Sequence, residues 1–283
     1  MSKKILVVLD PGHYPNYNKG AVAGYYEGDK MYDLSEYERD ALKAYGIDVI
    51  ITRGRSNDMA LYDRGKVAVR NGKGYDIVIF ISNHSNACNG QASGVEAYRS
   101  AYLPGSEELG QKLIDVIVGV MRPVTGITKS RGVKTRLSNN GDYYGVIRGS
   151  VSGATSESQA KKGPVDYSFI IEHGFHDNVK ECTFLNDPSN LKQIAEAKAK
   201  AIADYFGLTK SISNQVEATD TSFKVKIKVG ELNYRAGAGI NYKINGTVKK
   251  GEIYTIVATS GSWGKLKSGA GWINISNAYV TRL

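Results

Sequence analysis

Ile77-Val-Ile-Phe-Ile-Ser-Asn-His-Ser-Asn-Ala87 reads as a strand that runs directly into chemistry. Its first five residues are apolar and mostly β-branched, the mark of a strand buried on both faces, as in parallel sheets. His84 follows at once. In an open parallel sheet, ligands bind beyond the carboxyl ends of the strands. Two other segments repeat the arrangement. Ile5–Leu9 ends in Asp10-Pro11-Gly12-His13, and Ser168–Ile171 ends in Glu172-His173-Gly174-Phe175.

Helical spacing fills the gaps between such runs. Met31, Leu34, Leu42 and Tyr45 recur on one helical face until Gly46 stops it, and Ile47–Thr52 is a further strand. Leu61–Arg70, Glu107–Met121 and Leu191–Phe206 also read as helices, the second with Leu109, Leu113, Ile117 and Val120 on one side. Strand–helix alternation predicts an α/β domain over residues 1–209, a mainly parallel sheet covered by helices on both faces. Residues 149–166, rich in Gly, Ser and Lys, are expected to form a loop bordering the active site. Residues 210–222 are polar and aperiodic and read as a linker. From 223 to 283 the period changes to two: Lys224–Val229, Gly246–Val248, Ile253–Ala258, Trp263–Leu266 and Gly271–Ile273 are short strands between Gly-rich turns. That pattern predicts a small all-β barrel, with Trp263 and Trp272 in its core.

Composition narrows the function classes. A chain of 283 residues with 41% hydrophobic side chains, 32 glycines without a triplet period and only 6 prolines is neither collagen-like nor disordered. No apolar run approaches the ~18 residues of a membrane span. Ile5–Leu9 is shorter than the ~7–15 residues of a secretory core, so the expectation is synthesis in the cytoplasm without a signal peptide, and no membrane insertion. Cys88 and Cys182 lie far apart, which argues against a disulfide scaffold. The net charge of +9 is uneven: +2 over residues 1–209, −1 over 210–221 and +8 over 222–283. The basic tail suits a polyanion. It lacks any DNA- or RNA-reading motif, so nucleic acid is not the expected partner.

Two imidazoles and one carboxylate, with a fourth position left to water, make a catalytic rather than a structural zinc site. His13, Glu27 and His84 are the candidate ligands, with Glu36 and Glu38 as alternatives to Glu27. Glu172 is the candidate base that takes a proton as water attacks a carbonyl. His173 and Asn86 are candidates for supporting the ligands or touching substrate. His176 reads as structural, and Cys88, four residues after His84, as outside the ligand set. A glycosidase would need a pair of flanking carboxylates instead.

Residues 1–209 resemble the zinc-dependent N-acetylmuramoyl-L-alanine amidases of endolysin and autolysin type. The carrying residues are Asp10-Pro11-Gly12-His13; Glu27 with Asp29, then Thr52-Arg53; Ser82 to Ala87; Arg131-Gly132-Val133-Lys134; Asp142 to Arg148; and Ile171 to Phe175, running on to Asn178. The resemblance implies the same sheet, the same ligand set and Glu172 in the catalytic role. It also implies hydrolysis of the amide joining N-acetylmuramic acid to L-alanine in peptidoglycan. One departure is Tyr14-Pro15, where the family usually has a glycine pair. Residues 223–283 resemble the bacterial Src-homology-3-like wall-binding domain through Leu232 to Gly237, Val248 to Gly251, Trp263 to Leu266, Gly271 to Ile273 and Ala278 to Val280. Tyr234 and Tyr242 are its candidate wall contacts, with peptidoglycan or an anionic wall polymer as ligand. The expected role is that of a phage or prophage endolysin, acting on the wall after release. The rivals are a zinc peptidase of the stem peptide and an inactive wall binder.

Overall fold

Alternation along the central strands decides the layering. In the computed structural model, which describes residues 3–127, 129–210, 222–240, 242–260 and 262–283, β1 (Ile5–Pro11) is buried along its whole length. Ile5, Val7 and Leu9 enter one core, while Leu6 and Val8 enter another on the opposite face. The chain continues through α1 (Glu27–Lys43), β2 (Asp48–Ile51), α2 (Leu61–Asn71), β3 (Ile77–Asn86) and β4 (Val95–Arg99). Then come α3 (Ser106–Thr125), β5 (Ser130–Lys134), the hairpin β6 (Leu137–Ser138) and β7 (Gly141–Asp142), α4 (Gly145–Ser150), α5 (Glu157–Ala160), β8 (Tyr167–Phe175), α6 (Val179–Asn186) and α7 (Pro188–Tyr205).

Six strands form one sheet in the order β2-β1-β3-β8-β4-β5. Every neighbouring pair is parallel except β4–β8. Helices α1, α3, α6 and α7 pack on one face, and α2 and α4 on the other. This is the α/β sheet covered on both sides that the apolar runs predict. β4 escapes that reading because only Val95 and Ala97 enter the apolar core, while Glu96, Tyr98 and Arg99 interrupt the run. The stretch 149–166 is a correction. Val151, Ala154, Ala160 and Val165 are buried in the α2–α4 core, so the segment packs beneath the sheet, and none of its residues lines the cavity described below.

Gly65 sets the spacing of α2 and α4. A β-carbon there would lie 2.1 Å from the Val146 carbonyl oxygen and 2.4 Å from the Ser150 nitrogen, both backbone atoms. Alanine elsewhere in a helix gains about 1 kcal/mol over glycine, but backbone cannot step aside as a side chain can. Gly65→Ala is therefore expected to lose about 1–3 kcal/mol, seen as a melting temperature lowered by about 2–4 °C per kcal/mol. A raised melting temperature would show that the helices separate freely.

The chain divides into two compact units, Met1–Ser211 and Ile212–Leu283. Apart from Lys210 and Ser222, the expected linker lies outside the described residues. The second unit contains β9 (Phe223–Ile227), β10 (Glu231–Arg235), β11 (Ile244–Lys249), β12 (Ile253–Ser260), β13 (Trp263–Leu266), β14 (Trp272–Asn274) and β15 (Val280–Arg282). They make one antiparallel sheet, ordered β11-β10-β14-β13-β12-β9-β15, around Val225, Ile227, Leu232, Val248, Ile256, Leu266, Ile273 and Val280. Neither tryptophan belongs to this core. Gly264 and Leu266 take the inward positions of β13 and Ile273 that of β14, so alternation places Trp263 and Trp272 on the half-buried side. Tyr234 packs against the core, whereas Tyr242 is 52% exposed. Among the described residues, no helix is long and apolar enough to cross a membrane.

Candidate active site

Parallel register carries the alternation of the strands into the site. Asp10 pairs with Ser82 across β1–β3, and His84 with Glu172 across β3–β8. Paired residues of neighbouring strands share a face, so all four project toward α2 and α4. Asp10, His84 and Glu172, together with His13, Arg64, Leu61, Tyr144, Val146 and Ile170, line a cavity of ≈ 270 Å³.

His13 reaches this cavity through a tight loop. A β-carbon on Gly12 would lie 2.5 Å from Cε1 and 2.6 Å from Nδ1 of His84, so only glycine lets the two segments approach. His13 itself takes a left-handed φ of 58°. Two buried arginines fix the carbonyls around it. Arg53 donates to the oxygens of Pro11 at 3.1 Å, Gly12 at 3.2 Å and Gly28 at 2.9 Å. Arg64 donates to that of Pro11 at 2.8 Å and to that of His13.

Glu27 opens α1, where the helix dipole favours a carboxylate. It is 1% exposed. Its Oε1 lies 3.0 Å from His84 Nδ1 and accepts the Ser85 N–H at 3.0 Å. Its Oε2 lies 3.3 Å from His13 Nε2 and accepts from Asn18 Nδ2 at 2.7 Å. One donor atom each from His13, Glu27 and His84 fall within 4.8 Å of one another.

The electrostatics of the cluster call for a cation. Burial pushes the Glu27 carboxyl up, but hydrogen bonds from His13 and His84 overcome it and hold the group well below the usual carboxylate range. Burial lowers His84, and the Glu27 carboxylate more than reverses this, to about 9. Two lone-pair groups thus face each other and share a positive charge, which a proton or a metal ion can supply. Glu172 is the complementary case. Its Oε2 is shielded from solvent and has no hydrogen-bond partner among the described residues. Burial pushes this carboxyl up to about 8, against the pull of His84 and with the repulsion of Glu27 and Glu96. A divalent ion among the three donors would satisfy the first group and restore the charge of the second.

The other expected residues scatter. Glu38 lies on the opposite face of the sheet, paired with Lys198, and Glu36 bonds Arg55 at 2.7 Å on the surface. Neither joins the cluster. His173 does not touch the cavity, because β8 alternates and turns it away from Glu172. It is fully buried. Lys198 donates to its Nε2 at 3.0 Å, so its Nδ1 donates to the His84 carbonyl at 3.0 Å. Burial, then the Lys198 charge, drives it well below the usual imidazole range. Asn86 donates to Glu96 at 3.0 Å. His176 packs behind Glu27, with Nδ1 2.9 Å from Ser85 Oγ. Cys88 is exposed.

Sequence reasoning missed Asn18, Arg64, Glu96 and Lys198. The signal for Lys198 was available: it falls on the helical face of Leu191, Ile194, Ala195 and Ile202, where an unpaired lysine would not be tolerated. Glu96 pairs in register with Glu172 and binds Arg131 at 2.6 Å and Lys134 at 2.7 Å. Only the strand β4, itself unforeseen, brings it there.

A family model described as N-acetylmuramoyl-L-alanine amidase matches residues 7–204. The N-acetylmuramoyl-L-alanine amidase AmiA of Salmonella typhimurium is 26% identical over 226 residues, covering 72% of this chain and 76% of the relative. Among solved structures, Cwp6 from Clostridium difficile superposes with a TM-score of 0.55 at 26% identity, over 71% of this chain. The chain spans only 29% of the length of Cwp6. The catalytic domain of CwlV, an N-acetylmuramoyl-L-alanine amidase from Bacillus (Paenibacillus) polymyxa var. colistinus, superposes with a TM-score of 0.53 at 23% identity, over 74% of this chain and 100% of that one. At that identity the likeness is one of fold.

Proposed function

The chain belongs to the N-acetylmuramoyl-L-alanine amidase family, and from that premise we propose that it is a zinc enzyme cleaving the amide between N-acetylmuramic acid and L-alanine in bacterial peptidoglycan. The observation that carries the zinc reading is the convergence of His13, Glu27 and His84 beside Glu172, whose buried Oε2 has no hydrogen-bond partner among the described residues. Three protein ligands of this kind fit a catalytic zinc ion, which would supply a Lewis acid and lower the pKa of water to roughly 7.

The chain's own residues do the rest. Glu172 takes the proton of the attacking water and returns it to the alanine nitrogen as the C–N bond breaks. Leu61, Tyr144, Val146 and Ile170 give the cavity an apolar wall that suits the lactyl and alanyl methyl groups of such a substrate. Arg53 and Arg64 hold the carbonyls of residues 11–13, and so keep His13 in place before substrate arrives.

Digestion of purified wall is expected to free the amino group of L-alanine without reducing sugar. Release of other amino groups would make the protein a stem-peptide peptidase, and stoichiometric metal without hydrolysis would make it a binder.

We assign wall binding to the second unit, supported by the net charge of +8 over its residues 222–283 and its half-buried Trp263 and Trp272. A tether raises the local concentration of insoluble substrate. Removal of residues 212–283 is expected to reduce retention on wall, while hydrolysis of a soluble muramyl-peptide continues. Loss of hydrolysis by a folded truncation would overturn that division of labour. For biology we favour the endolysin role. Cells making the protein are expected to stay intact until their membrane is permeabilised, and then to lyse. Lysis without permeabilisation would favour an exported autolysin.

A further inference from the structure

We propose that Asp10 and Ser82 are positioning residues that select the ring tautomer of His84, leaving Nδ1 free to bind the ion. This rests on the metal reading above. Asp10 is fully buried. Its Oδ1 accepts from Thr52 Oγ1 at 2.5 Å and lies 3.4 Å from Arg64 Nη1, and its Oδ2 lies 2.6 Å from Ser82 Oγ. Ser82 Oγ in turn lies 3.1 Å from His84 Nε2. All of these groups are supplied by β1, β3, α2 and the residue following β2.

The direction of the chain follows from donor arithmetic. A carboxylate only accepts. The single Ser82 proton therefore goes to Asp10, and Ser82 Oγ can only accept from His84. Nε2 must then carry a ring proton, so the proton that the ion displaces is the one on Nδ1, facing Glu27, and the Nδ1 lone pair is the one left for the ion. Metal-bound histidines are commonly oriented by such an outer partner, whose loss weakens metal binding about 10–100-fold. Here the carboxylate acts through an intervening hydroxyl.

The test is zinc affinity of the full-length chain, by competition with a chelating dye, in four variants whose folding is checked by thermal melting. Ser82→Ala is expected to bind about 10–100-fold more weakly. Asp10→Asn keeps the shape but reverses the polarity. Its amide oxygen stays with Thr52 and Arg64, and its NH₂ donates to Ser82. The serine proton then turns to Nε2 and favours the wrong tautomer, so zinc affinity falls. When Asp10→Asn is combined with Ser82→Ala, the new amide has no hydroxyl to act through, so affinity matches that of Ser82→Ala alone within about twofold. Thr52→Val removes another of the donors to Asp10, leaving Arg64 and Ser82. It is expected to lower the melting temperature and leave zinc affinity within about twofold of wild type.

In zinc-loaded protein with ¹⁵N-labelled histidine, the His84 ring proton is expected on Nε2. A proton on Nδ1, wild-type affinity in Ser82→Ala, or losses that multiply in the double variant would overturn the relay. A wild-type chain that takes up no zinc would overturn the metal reading and the relay with it.

Discussion

Glu172→Ala is expected to yield a folded protein that still takes up zinc and no longer cleaves wall. The drop in kcat is expected to be about 10²-fold or more, the lower range of what a positioned acid–base group contributes. Three features isolate this effect. Glu172 faces the cavity from the end of β8, in register with His84. Among the described residues its Oε2 has no hydrogen-bond partner, so its removal breaks no hydrogen bond at that atom. And it lies outside the set of three close donors, so the ion keeps its ligands. A shielded carboxyl pushed up to about 8 is also costly to keep. The metal-free variant should therefore melt no lower than the metal-free wild type. Catalytic groups are often retained against stability in this way. Glu172→Gln separates proton transfer from volume: the amide fills the same space and cannot take a proton, so it should be as inactive as alanine. Hydrolysis at the wild-type rate in either variant would remove Glu172 from the mechanism.

The parts of the site readable from sequence are those announced by buried strands. Ile5–Leu9, Ile77–Ile81 and Ser168–Ile171 are apolar because both their faces are covered, and the residue types that follow them mark the functional edge. The period of two carries further than the motifs do. Val78, Phe80, Ser82 and His84 share a face, as do Ile170 and Glu172, which places His173 on the opposite one. Adjacency to Glu172 suggested support of the ligands or a substrate contact for His173; alternation turns its ring toward α7 and Lys198, from where it reaches the His84 carbonyl. The same rule places Trp263 and Trp272 outside the core of the second unit. What sequence could not supply was partnership across long separations. Asp10 meets Ser82 and Arg64 through sheet register and helix docking, and Lys198 meets Asn83 at 2.8 Å from a helix 115 residues away. Such pairs involve ordinary polar residues whose spacing carries no period. The choice of Glu27 over Glu36 and Glu38 is likewise a matter of helix phase: Glu27 opens α1 at the sheet edge, Glu38 falls on the stripe facing the sheet, and Glu36 faces solvent.

His84→Ala tests the ligand set itself, and its effect on the metal is expected to exceed that of any supporting residue. The ring contributes one of the three donors and, with His13, is one of the two groups that hold Glu27 in its low-pKa state, through a contact of 3.0 Å. Without it, two donors remain. Zinc affinity is expected to fall by well over the ~100-fold ascribed to outer partners, and cleavage with it, because the water then lacks its Lewis acid. The variant also tests the reading of the cluster as a cation site. In the metal-free wild type the positive charge beside Glu27 is a proton on His84. Removing the ring removes that charge and leaves Glu27 to Asn18, Ser85 and His13. The metal-free variant should therefore be destabilised at neutral pH, by about 1–3 kcal/mol for a buried group that loses a partner. His176 is the contrasting imidazole. It lies 3.8 Å from Glu27 Oε2, but its Nδ1 is engaged by Ser85, so it cannot stand in for the missing ligand. Full zinc occupancy at wild-type affinity in His84→Ala would show that the ion is held elsewhere. The convergence of β1, β3 and α1 would then need another explanation.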